Sequence, residues 1–324
     1  MQILSRSLLI SLVLLCFATA NAQVSNVWVA DNGDGTYKNP IINADYSDPD
    51  AIRVGDDFYM TASSFNAVPG LPILHSTDLV NWTLVNHALK NVPDPRYQEV
   101  QPGCGVWAPS IRFHAGKFWI FIAMPDEGIY VTTAPDPRGQ WSEPHLVRAG
   151  KGLIDPCPLW DDDGNAYLVH AYAHSRCGVK HQLRVVPMEA DGTRLLDDGK
   201  IVFHEPGRHP TLEGPKFLKR DGWYYILAPA GGVATGWQTV LRSRTIFGPY
   251  EDKIVLQQGS TPAWALFALI CVLTAASSSL AAASDVALPP IEVKLPRRSV
   301  RNRRRPSAIC PGVSSPVRSI VCVR

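Results

Sequence analysis

No CxxC pair occurs anywhere in the 324-residue chain. Its seven cysteines are odd in number and irregular in spacing, which argues against a disulfide framework and against a tetrahedral zinc site. Cys104, Cys157 and Cys177 are expected to be free thiols. No nucleotide, haem or zinc motif is visible, and residues 37–256 contain no long helical periodicity. A surplus of one charge sign is also missing, with 31 Lys and Arg against 29 Asp and Glu. The small basic excess is confined to the end: residues 261–324 hold nine basic and two acidic side chains. The remainder is mildly acidic, so no nucleic-acid partner is expected.

The two ends differ from the middle. Residues 1–22 read as a secretory signal: Arg6 in a short positive region, an apolar run from Leu8 to Phe17, and a small-residue cleavage site at Ala20-Asn21-Ala22. The expectation is an exported, periplasmic or extracellular protein. Residues 261–324 form an apolar stretch, Ala263 to Ala283, followed by the basic run Arg297 to Arg305. No aromatic residue follows Phe267. A membrane anchor, a second export-like signal, and foreign or frame-shifted sequence are the three readings of this tail. The last is favoured, and apart from such an anchor no membrane contact is expected.

Between these ends a module recurs. Its heads are Ser47-Asp48-Pro49-Asp50, Val106-Trp107-Ala108-Pro109, Ile154-Asp155-Pro156 and Leu212-Glu213-Gly214-Pro215. Each is followed by a short apolar run, a Gly-containing turn and an aromatic-rich run. The turns hold Gly55, Ala115-Gly116, Asp163-Gly164 and Asp221-Gly222, and Asp-Gly between alternating runs is a strong hairpin signal. Third strands are expected at residues 73–76, 129–132, 183–186 and 239–242, with a last strand near 253–256. The heads lie 59, 48 and 58 residues apart. A period near fifty with four short strands per copy describes a propeller blade. The expected fold is all-β, with about four blades in residues 23–260. A β-sandwich would not predict the recurring head.

Equivalent positions of a radial repeat converge near its axis. Two Asp and one Glu converging there are the raw material for acid/base chemistry, of which glycosidic bond cleavage is one case. An inverting enzyme needs one carboxylate to deprotonate water and one protonated carboxyl to protonate the leaving oxygen. A third carboxylate can hold the acid's pKa up by like-charge repulsion. Asp48, Asp155 and Glu213 fit these three roles. Phe65, Trp107 and Trp237 lie near the heads, either to stack on sugar faces or to pack in the core. The run Asp161-Asp162-Asp163-Gly164 reads as a hairpin turn alone.

The segments Asn39-Pro40-Ile41-Ile42, Tyr46-Ser47-Asp48-Pro49-Asp50, Ser76-Thr77-Asp78-Leu79-Val80-Asn81-Trp82 and Val106-Trp107-Ala108-Pro109-Ser110 resemble glycoside hydrolase family 43. So do Ile154-Asp155-Pro156 and Glu213-Gly214-Pro215 with their downstream turns. The resemblance covers about residues 37–260. It implies a five-bladed propeller and inverting β-xylosidase, α-L-arabinofuranosidase or arabinanase activity. It aligns Asp48 with the general base, Glu213 with the general acid, and Asp155 with the residue that tunes and orients the acid. Among members, the sequence looks most like the exo-acting, β-xylosidase-like exported enzymes of bacteria. The implied partner is a xylo- or arabino-oligosaccharide. No cofactor is expected; calcium is left open by the resemblance, without a nameable ligand set.

The chain departs from the family where a fifth blade would open. Instead of an Asn-Gly-Pro-His-type segment it continues Pro262-Ala263-Trp264. The expectation is a truncated member whose own turnover is in question, with a non-catalytic sugar-binding propeller as the alternative. Sequence does not separate xylose from arabinose, or exo from endo action.

Overall fold

The structure is a computed structural model that describes residues 28–257. The expected signal at residues 1–22 and the tail at 261–324 lie outside the described residues. Four four-stranded antiparallel sheets follow one another along the chain, each a simple meander. The first holds β1 (Asp50–Val54), β2 (Asp57–Thr61), β3 (Gly70–Ser76) and β4 (Thr83–Leu89). The second holds β5 (Trp107–His114), β6 (Lys117–Met124), β7 (Gly128–Ala134) and β8 (His145–Ala149). The third holds β9 (Leu153–Trp160), β10 (Ala166–Tyr172), β11 (Gln182–Met188) and β12 (Lys200–His204). The fourth holds β13 (Lys216–Arg220), β14 (Trp223–Ala230), β15 (Trp237–Ser243) and β16 (Glu251–Gln257). Helix among the described residues is limited to α1 (His174–Cys177), α2 (Gly232–Thr235) and a 3-10 turn at Pro95–Gln98. None of it is long and apolar enough to cross a membrane.

The turns set the register. His114 pairs with Lys117 and Arg220 with Trp223, leaving two-residue loops. Both residues of each loop have positive φ: 50° and 74° at Ala115-Gly116, 51° and 70° at Asp221-Gly222. That is the type I′ geometry whose twist matches the flanking strands. Asp161 is more than the turn residue expected. It is buried at the end of the third sheet and accepts hydrogen bonds from Lys219 Nζ and Tyr224 Oη of the fourth.

The sheets pack face to face as propeller blades. β5 lies against both β1 and β9, and β13 lies against β9, so the first strand of each blade is innermost. Apolar clusters fill the gaps. Leu71, Ile73, Ile111 and Ile120 close the first onto the second blade. Phe121, Ile129, Leu168 and Val186 join the second to the third. Val169, Leu183, Ile226 and Leu241 join the third to the fourth. Phe121 is fully buried, and truncating such a side chain to Ala costs about 3–5 kcal/mol. Cys157 and Cys177 are free thiols. Cys104 is disulfide-bonded, which corrects the expectation from irregular spacing.

Candidate active site

The head carboxylates precede or open the innermost strands. Asp48 stands two residues before β1 and Glu213 three before β13, while Asp155 is the third residue of β9. Asp48 and Asp155 share an unusual backbone, with φ of 49° and 55°. A non-glycine residue pays for the left-handed region with about 1–2 kcal/mol, least for Asp and Asn. The same strain at equivalent repeat positions turns each side chain out of the strand's alternation. Glu213 lies between Thr211 and Gly214, both also with positive φ.

The three carboxyls differ in their partners. Asp48 Oδ2 accepts from Ser47 Oγ at 2.6 Å and Ser63 Oγ at 3.1 Å. Asp155 is buried, and its Oδ2 accepts from the backbone N–H of Gly214 at 2.7 Å. That bond ties Asp155 to the residue following Glu213. Burial pushes the Asp155 carboxyl up to about 7; the Gly214 amide opposes this and the Asp48 charge reinforces it. Burial also lifts Glu213, to about 8, with the charges of Asp155 and Asp48 adding to it and Lys180 opposing. The three heads therefore share one electrostatic environment, as the radial repeat predicts.

The aromatic candidates are held at the same end of the blades. Phe65 and Val106 exchange backbone hydrogen bonds at 2.9 Å, which joins the entry to the second blade to the first. Gly105 permits this approach, since a Cβ there would fall 2.4 Å from the Phe65 carbonyl oxygen. Trp107 is half-buried. Its Nε1 donates to Gly103 O at 3.0 Å, and the Arg176 guanidinium lies 5.0 Å from its ring centre. Trp237 opens β15 opposite Ala230 of β14, and Pro229 O beside it accepts the Glu213 N–H at 3.2 Å. Its Nε1 donates to His209 Nδ1 at 3.1 Å. Both indoles also rest partly against the core between the third and fourth blades, so stacking and packing are not exclusive.

Comparison with known proteins decides the family. Residues 37–264 match the model of glycosyl hydrolases family 43. The chain belongs to this family. A Xylanibacter ruminicola protein provisionally named a β-xylosidase is 47% identical over 71% of this chain and 42% of its own length. A non-reducing end α-L-arabinofuranosidase of Bacteroides ovatus is 35% identical over 68% of this chain and 41% of its own. Among solved structures, a xylan β-1,4-xylosidase from Bacillus halodurans C-125 matches with a TM-score of 0.58 at 30% identity. That match covers 67% of this chain and 43% of the other. The chain thus spans about two-fifths of the length of these relatives.

Several residues around this family 43 site escaped sequence reasoning. Ser47 was in view inside the head motif, but Ser63 reaches Asp48 from 15 residues away and carried no signal. Lys180, beyond α1, faces Glu213 electrostatically. Asp50, Arg112 and Lys216 form a buried charged cluster beneath the heads. Among the described residues no group of three His, Cys, Asp or Glu side chains is arranged to hold a metal ion, so no step is assigned to calcium. A separate cleft of about 290 Å³ lies between the second and third blades, lined by Arg148, His170, Tyr172 and Arg184 among others. It contains none of the head carboxylates.

Proposed function

We propose that the protein is an exported glycoside hydrolase that removes xylosyl or arabinofuranosyl units from hemicellulose oligosaccharides with inversion. The observation that carries this reading is the contrast among three converging carboxyls. Glu213 is raised to about 8 and so keeps its proton at neutral pH. Asp48 offers a carboxylate whose one oxygen is held by two hydroxyls. In the proposed reaction Asp48 takes a proton from a water molecule as that water attacks the anomeric carbon. Glu213 gives its proton to the departing glycosidic oxygen as the C–O bond breaks. Asp155, fixed to the Gly214 amide, orients the Glu213 segment and lifts its pKa. Phe65, Trp107 and Trp237 are the proposed sugar-stacking faces.

Hydrolysis of p-nitrophenyl β-D-xylopyranoside and α-L-arabinofuranoside, with proton NMR of the first-formed anomer from a natural oligosaccharide, tests this reading. Inverted product and a preferred sugar support it. Sugar binding without turnover in folded protein moves the chain to the sugar-binding reading.

A further inference from the structure

Beneath the heads lies a cluster that the acid–base chemistry does not use directly. Asp50 is fully buried. Its Oδ2 accepts from Ile111 N at 2.9 Å and Arg112 Nη1 at 2.7 Å, while Lys216 Nζ stands 3.6 Å from Oδ1. Lys216 Nζ also donates to Pro109 O at 3.1 Å and to Ser110 Oγ at 3.0 Å. Arg112 Nη2 donates to Cys157 Sγ at 2.7 Å, and Phe217 N donates to the same sulfur at 3.1 Å.

Asp50, Cys157, Lys216, Pro109 and Ser110 each lie two or three residues after a head. Asp50 comes two residues after Asp48, Cys157 two after Asp155, and Lys216 three after Glu213. Pro109 and Ser110 follow the second-blade head at Trp107 by two and three. The cluster therefore touches the innermost strand of every described blade, one layer below every head. Asp155 and Cys157 lie two apart on β9, a span of roughly 7 Å, while Asp48 and Glu213 stand two and three residues before β1 and β13.

We propose that Asp50, Arg112 and Lys216 are positioning residues that fix the mutual placement of the three head carboxyls and the charge beneath them. A buried ion cluster of this kind is weak evidence for stability and is better explained by the geometry it specifies. Two cations and one anion leave a net positive charge under three acids. Lys216 acts on Asp155 across this layer, against the push of burial and of Asp48. The other charged or polar groups facing the heads include Glu213 itself, Lys180, the Gly214 amide and the Ser47 and Ser63 hydroxyls on Asp48. The inference rests on the proposed acid–base reading only for its effect on turnover.

The test is carbon-13 NMR titration of Asp155 in the full chain, which needs no turnover. Lys216→Met removes a cation and raises the Asp155 titration by roughly 0.5–1 pH unit. Asp50→Asn removes the anion beside both cations and lowers it. The Asp50→Asn/Lys216→Met double variant restores the net charge and returns the titration to within roughly 0.3 unit of the parent. Lys216→Arg keeps the charge but not the fit against Pro109 and Ser110. Its titration stays put, while kcat falls roughly tenfold with KM within about twofold. Shifts of one sign in both single variants, or no shift, overturn the proposal. Failure of all these variants to fold assigns the cluster to stability alone and also overturns it. Opposite titration shifts in a protein without turnover reject the hydrolase reading and leave the cluster's role standing.

Discussion

Asp50 and Asp155 lie in adjacent layers of one funnel, and both are shut away from water, at 0% and 6% exposure. Their carboxyls nevertheless move in opposite directions. Burial would raise Asp50, but Lys216 and Arg112, with the Ile111 amide, outweigh it and hold the group below its ordinary value. Burial raises Asp155, and a single amide and a more distant Lys216 do not compensate. In the lower layer each charged group has close partners. In the upper layer Asp48 and Asp155 sit on left-handed backbone, and among the described residues Asp155 has one amide donor and no ion-pair partner, an arrangement found where strain serves chemistry. Burial alone therefore does not mark a catalytic carboxyl; the partner set does.

The comparison can be broken from the upper layer downwards. Glu213→Gln removes the proton donor, and kcat should fall about 10²–10⁴-fold in a glycosidase assay. The parent's kcat/KM should decline as pH rises through about 8, where Glu213 loses its proton. The Gln variant should lack that limb, and a parent profile flat to pH 10 would contradict the assignment. Asp48→Asn removes the base and should cost a similar factor, with little change in sugar binding measured by calorimetry. Ser63→Ala removes one of two hydroxyls on Asp48. It should cost about 1 kcal/mol, near fivefold in kcat, without loss of fold by circular dichroism.

Much of the upper layer was legible in sequence, and almost none of the lower. The heads stood out because hairpin turns at Ala115-Gly116 and Asp221-Gly222 fix a local grammar, and grammar repeated at intervals aligns Asp48, Asp155 and Glu213. The pairings within the cluster carry no such signal. Arg112 meets Asp50 across 62 residues and Lys216 meets Ser110 across 106. Long-range pairs like these have no local spacing to read. Asp50 sat inside a head motif, but the left-handed turn at Asp48 breaks the strand's alternation, so sequence could not say where it points. Asp161 was read as a turn for a related reason: its partners Lys219 and Tyr224 belong to another blade. Trp107 and Trp237 were left between stacking and packing; both indoles are half-buried against the core, with part of each ring still exposed.

Thermal unfolding of Asp50→Asn beside Asp155→Asn at pH 8 tests the two-layer account most directly. Asp50→Asn removes the buried carboxylate that Lys216 and Arg112 face, at a cost of about 3–5 kcal/mol, and should lower Tm by roughly 10 °C. Asp155 has the opposite sign. Its folded pKa, about 7, lies above the ordinary 3.8. Ionisation therefore costs stability progressively as pH rises from 3.8 to about 7. Asparagine still accepts the Gly214 amide without that cost, so Asp155→Asn should raise Tm by roughly 2–5 °C at pH 8 and leave it unchanged below pH 4. A lower Tm in both variants would contradict the account, since it would make the upper layer as structural as the lower one.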